Sequence, residues 1–239
     1  MTPLELALVL AGAFVAAAVS AICGFGGGSL YMPVLVALLG TKQAVPLIAF
    51  GLLFSNATRA WIMRKDIVWP LAARYLCGAV PGAILGAFVF IHLSPDLITR
   101  GIGLFLIASV LAFRWHNHRP PLTRWWVFYI VGFVFGILSS ITGIVAAAAM
   151  PFFLAVKMRK EAFVGTVAFG AFAMHLTTVT SFSQLHLLDS MLWQLGIGLG
   201  LLMIAGTWVG SKVLRLTPPR VFLWLVQGLL LVLGVIFLV

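Results

Sequence analysis

The sequence predicts an all-α polytopic membrane protein made of two inverted five-segment repeats, and three observations predict it. First, 63% of the 239 residues are hydrophobic and 8% are charged, with a mean hydropathy of +1.17. Soluble chains carry about 25% charged residues, so a soluble domain of this size could not hide so much apolar surface. Second, twelve of the fifteen lysines and arginines fall in four places: Arg59/Arg64/Lys65, Arg114/Arg119/Arg124, Lys157/Arg159/Lys160 and Lys212/Arg215/Arg220. Third, the two halves share one order of parts. At an offset of 119, Gly24 meets Gly143, Ala49-Phe50-Gly51 meets Ala168-Phe169-Gly170, and Asn56 meets His175. Met32-Pro33 matches Met150-Pro151 at 118, Gly82 and Gly86 match Gly206 and Gly210 at 124, and Leu93-Ser94-Pro95 matches Leu216-Thr217-Pro218 at 123.

A membrane-spanning helix needs roughly 20 apolar residues. The first such run is 4–22, and it ends at Cys23-Gly24-Phe25-Gly26-Gly27-Gly28-Ser29. The piece that follows, 30–40, reaches only ~16 Å at 1.5 Å per residue, about half a bilayer. Runs at 44–63, 68–91 and 97–113 complete the first half, residues 1–114. A basic connector spans 115–124. The second half, 125–239, repeats the plan: 125–140, a break at Ser139–Gly143, a short piece 144–156, then 162–182, 191–210 and 221–239. The expected total is eight long helices and two short, broken or re-entrant segments.

The charge pattern sets the topology. The connections 91–96 and 184–190 carry no lysine or arginine, and neither do the termini. Putting the four basic clusters in the cytoplasm of a bacterial inner membrane obeys the positive-inside rule. It requires each break to reverse the chain, so each half has five segments and the halves insert in opposite senses. Both termini are then periplasmic. Eight kinked spans are the alternative, but they would put Lys157-Met158-Arg159-Lys160 outside. The N-terminus lacks the basic region of a cleaved signal, so the first run is expected in the mature protein. The net charge of +10 reads as orientation and contact with anionic lipid headgroups, with no nucleic-acid partner. The two cysteines, Cys23 and Cys77, are far apart in apolar runs, and neither a disulfide framework, a metal site nor a cofactor is expected.

Inverted repeats with broken helices are the plan of secondary transporters, whose site lies where the repeats meet. Four glycines in five positions remove side chains and free the backbone. A break followed by a short helix offers unpaired N–H groups and the positive end of a helix dipole, which suits an anion. Gly26, Gly27, Gly28 and Ser29 are therefore substrate-binding candidates, with Thr142 and Gly143 as second-half counterparts. Close helix crossing is the competing use of such glycines.

The run Gly24-Phe25-Gly26-Gly27-Gly28-Ser29, then Met32-Pro33-Val34-Leu35 and Gly40, resembles the first-repeat signature of the sulfite exporter TauE/SafE family of anion permeases. Gly78, Pro81-Gly82 and Gly86 resemble the family's fourth segment. The resemblance covers essentially the whole chain. It implies movement of sulfite, organosulfonates or other small anions across the inner membrane. The second half departs from the family pattern, with Gly143-Ile144-Val145-Ala146-Ala147-Ala148-Ala149 where another glycine-rich turn is common. A lopsided site follows.

Asn56 and His175 lie deep in apolar runs, where polar groups usually face the protein interior. They are expected to line the path or to satisfy a neighbouring carbonyl. His175 can also carry proton coupling. Ser55, Thr58, Thr177 and Thr178 add hydroxyls that line the path or bond their own helix. Lys42 is an intramembrane cation for gating or coupling if the short helix stops at mid-depth, and otherwise a loop lysine. Arg59 and Arg74 can snorkel to the cytoplasmic face, and Arg59 can guard the inner mouth. The acids sit at segment ends or beside a basic cluster, which argues against a carboxylate-type cation exchanger. A permease of small anions such as sulfite, organosulfonates or small carboxylates, working by alternating access, is the leading expectation. A pairing of two copies stays open. An anion channel is the alternative. An intramembrane enzyme is a weaker one, because His175 with Ser181 or Ser183 does not share a helix face.

Overall fold

The computed structural model describes residues 3–24, 27–101, 125–143 and 158–218, together with 104, 149, 152–153, 156, 221 and 224–225. All regular structure among them is helical. The helices are α1 Pro3–Cys23, α2 Gly27–Leu39, α3 Thr41–Ile62, α4 Trp69–His92, α5 Val127–Thr142, α6 Lys160–Gln184 and α7 Ser190–Leu216, and residues 95–101 are helical too. Four of them, α3, α4, α6 and α7, are long and apolar enough to cross a membrane. The connector 115–124, most of 144–156 and most of 221–239 lie outside the described residues.

The first break is narrower than the glycine count suggests. Gly24 takes a left-handed backbone, φ 84°, and Gly27 and Gly28 already belong to α2. The helix then runs back along α1. Gly27 lies against Ala16 and Ser20, and the Tyr31 ring covers Gly12 while its hydroxyl donates to the Val9 carbonyl. A Cβ at Gly27 would strike the Ala16 carbonyl oxygen, so this glycine is what lets α2 lie flat on α1. The second break also turns at a glycine. Gly143, φ 72°, ends α5 with its N–H bonded to the Ser139 carbonyl at 2.7 Å. Such a residue is strongly biased to glycine because a Cβ is strained there.

The main helix pairs other than α1–α2 and α2–α3 join one helix from each half: α1 with α7, α4 with α5, α3 with α6 and α7, and α4 with α6. Two of these seams rest on glycine against backbone. Gly78, Gly82 and Gly86 of α4 face the carbonyls of Tyr129, Phe133 and Ile137 on α5. Gly206 and Gly210 of α7 face the carbonyls of Phe14 and Ala18 on α1. In a membrane this close approach replaces the hydrophobic drive that lipid removes.

The two ends of the bundle differ. One gathers Arg64, Lys65, Arg159, Lys160, Lys212 and Arg215. There Arg159 pairs with Asp66 at 3.1 Å, the Thr166 hydroxyl accepts from the Val68 N–H, and Lys160 grips the Leu214 and Thr217 carbonyls that end α7. At the opposite end Lys42 grips the Phe90 carbonyl in the last turn of α4 at 2.9 Å and lies over the Phe90 ring. A cation on the last carbonyls of a helix meets its negative end.

Candidate anion site

Arg59 lies in the last turn of α3, within a turn of the basic end. Simple reach would let it snorkel, yet its side chain is turned inward and only 2% exposed. Its guanidinium donates to the Ser20 carbonyl of α1 at 2.6 Å and to the Asn56 side-chain oxygen at 2.6 Å. Both acceptors are neutral, and the Nε is buried with no partner. The guanidinium carries more donors than these two acceptors satisfy. The described carboxylates are held elsewhere. Asp66 pairs with Arg159, Glu161 lies 3.6 Å from Lys160, Asp189 caps the start of α7 through the Leu192 N–H, and Asp96 is exposed.

Around this cation the structure collects several of the polar residues singled out from sequence. Asn56 sits one turn earlier on α3 and holds the guanidinium. His175 of α6 is 3% exposed, its Nδ1 is buried without a partner, and the Arg59 charge lies near enough to act on it. The first turn of α2, with Gly27, Gly28 and buried Ser29, lies beside Ser20. Gly26 is outside the described residues. Cys23, a buried free thiol at the end of α1, also lies within reach of the Arg59 charge. No group of three or more His, Cys, Asp or Glu side chains placed to hold a metal gathers among the described residues.

Thr142, Gly143 and Lys42 lie apart from this cluster. Gly24 packs on Phe163 and Val164 in the first turn of α6, near the basic end. Gly143 packs on Val45 and Ile48 in the first turns of α3, near the opposite end. The two breaks therefore approach the protein from opposite ends and do not face each other. Thr142 is buried and returns its hydroxyl to the Leu138 carbonyl. Lys42 belongs to the first turn of α3, about 25 Å along that helix from Arg59. Short α2 ends at Leu39, just before α3 begins, and its glycine end lies beside Ala16 and Ser20 of α1.

The hydroxyls divide between the two expected uses. Thr58 and Thr177 bond their own helix, to Phe54 and Ala173. Ser55 bonds Thr207 of α7 at 2.8 Å, and Thr178 bonds Ser140 of α5 at 2.7 Å. Sequence reasoning left out Ser20, Cys23, Ser139 and Ser140. Ser20 contributes a backbone carbonyl, which has no side-chain signature. Ser139, buried with an unpartnered hydroxyl, sits in the Ser139–Gly143 break and could have been read from the offset of 119 that links it to Ser20.

A model of the family described as "Sulfite exporter TauE/SafE" matches residues 8–237, nearly the whole chain. No curated protein and no solved structure gives a significant match.

Proposed function

The chain belongs to the sulfite exporter TauE/SafE family of membrane transporters, and we propose that it carries a small anion, bound at Arg59, by alternating access. One observation carries this reading: a fully buried guanidinium whose neighbours are neutral and whose Nε is unpaired. A charge taken out of water without a counter-charge costs several kcal/mol. An entering anion offsets that cost. The planar fork suits the paired oxygens of sulfite, a sulfonate or a carboxylate. Asn56 steers the fork, the first turn of α2 (Gly27, Gly28, Ser29, with Gly26 before it) adds helix N–H groups and the dipole's positive end, and His175 adds a further polar contact. Thr142 and Gly143 join the path as the narrow point toward the opposite end, with Lys42 at the outer mouth.

The inverted repeat is part of the proposal, and the packing supports it. Adding 119 to Phe14 and Ala18 gives Phe133 and Ile137, and adding 124 to Gly82 and Gly86 gives Gly206 and Gly210. These are the partners in the two glycine seams, so α1–α7 and α5–α4 repeat one contact. The same holds for the breaks, where Gly24 meets Val164 and Gly143 meets Val45. In this reading the short segment in each half reverses the chain, and the basic end faces the cytoplasm.

The test is uptake of sulfite, sulfoacetate, small carboxylates and sulfate into proteoliposomes, with and without a pH gradient. At least one of these anions is expected to move with saturation and counterflow, and Arg59→Gln is expected to need on the order of 100-fold more of it for the same uptake. If none moves, or if Arg59→Gln moves it as well as the native protein, the reading fails. Flux that never saturates would favour a channel.

A further inference from the structure

We propose that a pocket between the basic-end halves of α3 and α7 seats the phosphate of an anionic phospholipid headgroup. This site lies apart from Arg59 and does not depend on the anion-transport reading. The pocket has a volume of about 420 Å³, and Trp61, Arg64, Trp208, Ser211, Lys212 and Arg215 line it. Three of those six carry positive charge, and none is acidic. The nearby acids Asp66 and Glu161 lie against Arg159 and Lys160.

Each cation is positioned. Arg64 donates to the Trp61 carbonyl at 3.0 Å and stacks at 4.5 Å over the Trp61 ring. Arg215 reaches the Ile62 carbonyl at 3.5 Å. The Lys212 ammonium stands 3.3 Å from the centre of the Trp208 ring. Ser211 supplies the independent sign of a missing ligand. It is 2% exposed, its hydroxyl has no partner in the protein, and it lines this pocket. Buried hydroxyls without a partner are rare, because each has given up its hydrogen bonds to water without replacing them. A phosphate oxygen among three cations would accept from it.

Free phosphate and a lipid headgroup share this chemistry, and the walls favour the lipid. Trp61 and Trp208 are 68% and 53% exposed, in the last turn of α3 and about two turns before the end of α7, both helices long enough to span the bilayer. Indoles at that level lie among headgroups and acyl chains. A soluble anion gains nothing from two exposed indoles beside its site, whereas a glycerol backbone and its chains lie against them. A polybasic cluster at the cytoplasmic leaflet also meets anionic lipid in abundance.

The experiment is native mass spectrometry of the full chain taken from an equal mixture of phosphatidylglycerol and phosphatidylcholine. The native protein is expected to retain phosphatidylglycerol preferentially. In Lys212→Gln/Arg215→Gln that preference is expected to fall roughly tenfold or more, since each cation near an anionic surface strengthens the attraction severalfold. Ser211→Ala, a minimal change, is expected to weaken it a few-fold. The charge-matched Lys65→Gln/Arg74→Gln, which leaves the pocket lining intact, is expected to lower it clearly less than the pocket pair does. A second arm adds millimolar inorganic phosphate, which is expected not to displace the lipid. No lipid preference in the native protein, or the same preference in native, Lys212→Gln/Arg215→Gln and Ser211→Ala proteins, overturns the proposal. Displacement by inorganic phosphate overturns the lipid assignment in favour of a soluble phosphate site.

Discussion

The two helix breaks are built alike and equipped differently. At the first, Gly24 turns the chain beside Val164, and Arg59 reaches over to the Ser20 carbonyl. At the second, Gly143 turns it beside Val45, and the residue at the Arg59 offset is Thr178, bonded to Ser140. Ser20 corresponds to Ser139, Cys23 to Thr142 and Asn56 to His175. The backbone device is repeated while the chemistry is not. Among the described residues, one set holds a buried arginine and the other holds hydroxyls and a histidine. In the proposed reading that difference decides where a negative charge rests, since a cation attracts it far more strongly than a hydroxyl. The comparison teaches that a duplicated frame need not bind twice.

The largest expected effect breaks the comparison at its charged side. Removing one partner of a buried charge contact costs about 2–5 kcal/mol, so Arg59→Gln should weaken anion affinity by on the order of 100-fold, read from saturation of uptake. At the other junction Thr178→Val should change affinity no more than about threefold, because it deletes one neutral hydrogen bond. Equal losses at the two positions would refute the asymmetry.

The next effect tests the shared frame. Gly82→Ala and Gly206→Ala each push a methyl into a backbone carbonyl across a seam. Both should cost about 1–3 kcal/mol of stability, seen as lowered thermal midpoints of similar size. A large loss at one seam and none at the other would show that the seams are not equivalent. Gly24→Ala and Gly143→Ala should each cost about 1–2 kcal/mol from the left-handed backbone alone. Gly143→Ala should be the worse, because its Cβ would stand 2.6 Å from Ile48 Cγ2 whereas that of Gly24 stands 3.2 Å from Val164 Cγ2.

His175→Gln sharpens the proposed coupling. Uptake in the variant should persist at a reduced rate and lose its response to an imposed pH gradient. A retained response would place coupling elsewhere. The smallest effects belong to the end lysines. Lys42→Met and Lys160→Met remove a cation from a helix C-terminus and should each cost about 0.3–1 kcal/mol. Anion affinity should stay unchanged in Lys160→Met, which lies off the proposed path.

Much of this was legible in the sequence because membrane solvation leaves few options. Among the described residues the long apolar runs are helices, and the two glycines flagged by the offset of 119 adopt the left-handed turn. The site was legible only in part. Asn56 and His175 stood out because polar groups at that depth are costly. The inward turn of Arg59 did not, because an arginine one turn from a helix end can reach water as easily as the interior. What decides between them is the Ser20 carbonyl on another helix, and a carbonyl looks the same in every residue. Gly27 was read as ligand contact or packing. Its seat on Ala16 means that substitution there disturbs α1–α2 first, so Arg59 is the better probe of the anion.

The crosswise pairing of helices has a consequence for biosynthesis. The partner of α4 is α5, which follows about fifty residues later, while the partner of α1 is α7, which ends only at Leu216. At roughly 5–20 residues per second, α1 waits on the order of ten seconds or more in the bilayer with its backbone seam uncovered. Of the two glycine seams, α4–α5 can close first, and α1–α7 closes only when α7 emerges. A nascent chain stalled before α7 is therefore half-built in space as well as in length, and it presents an open helix face to whatever quality control patrols the membrane.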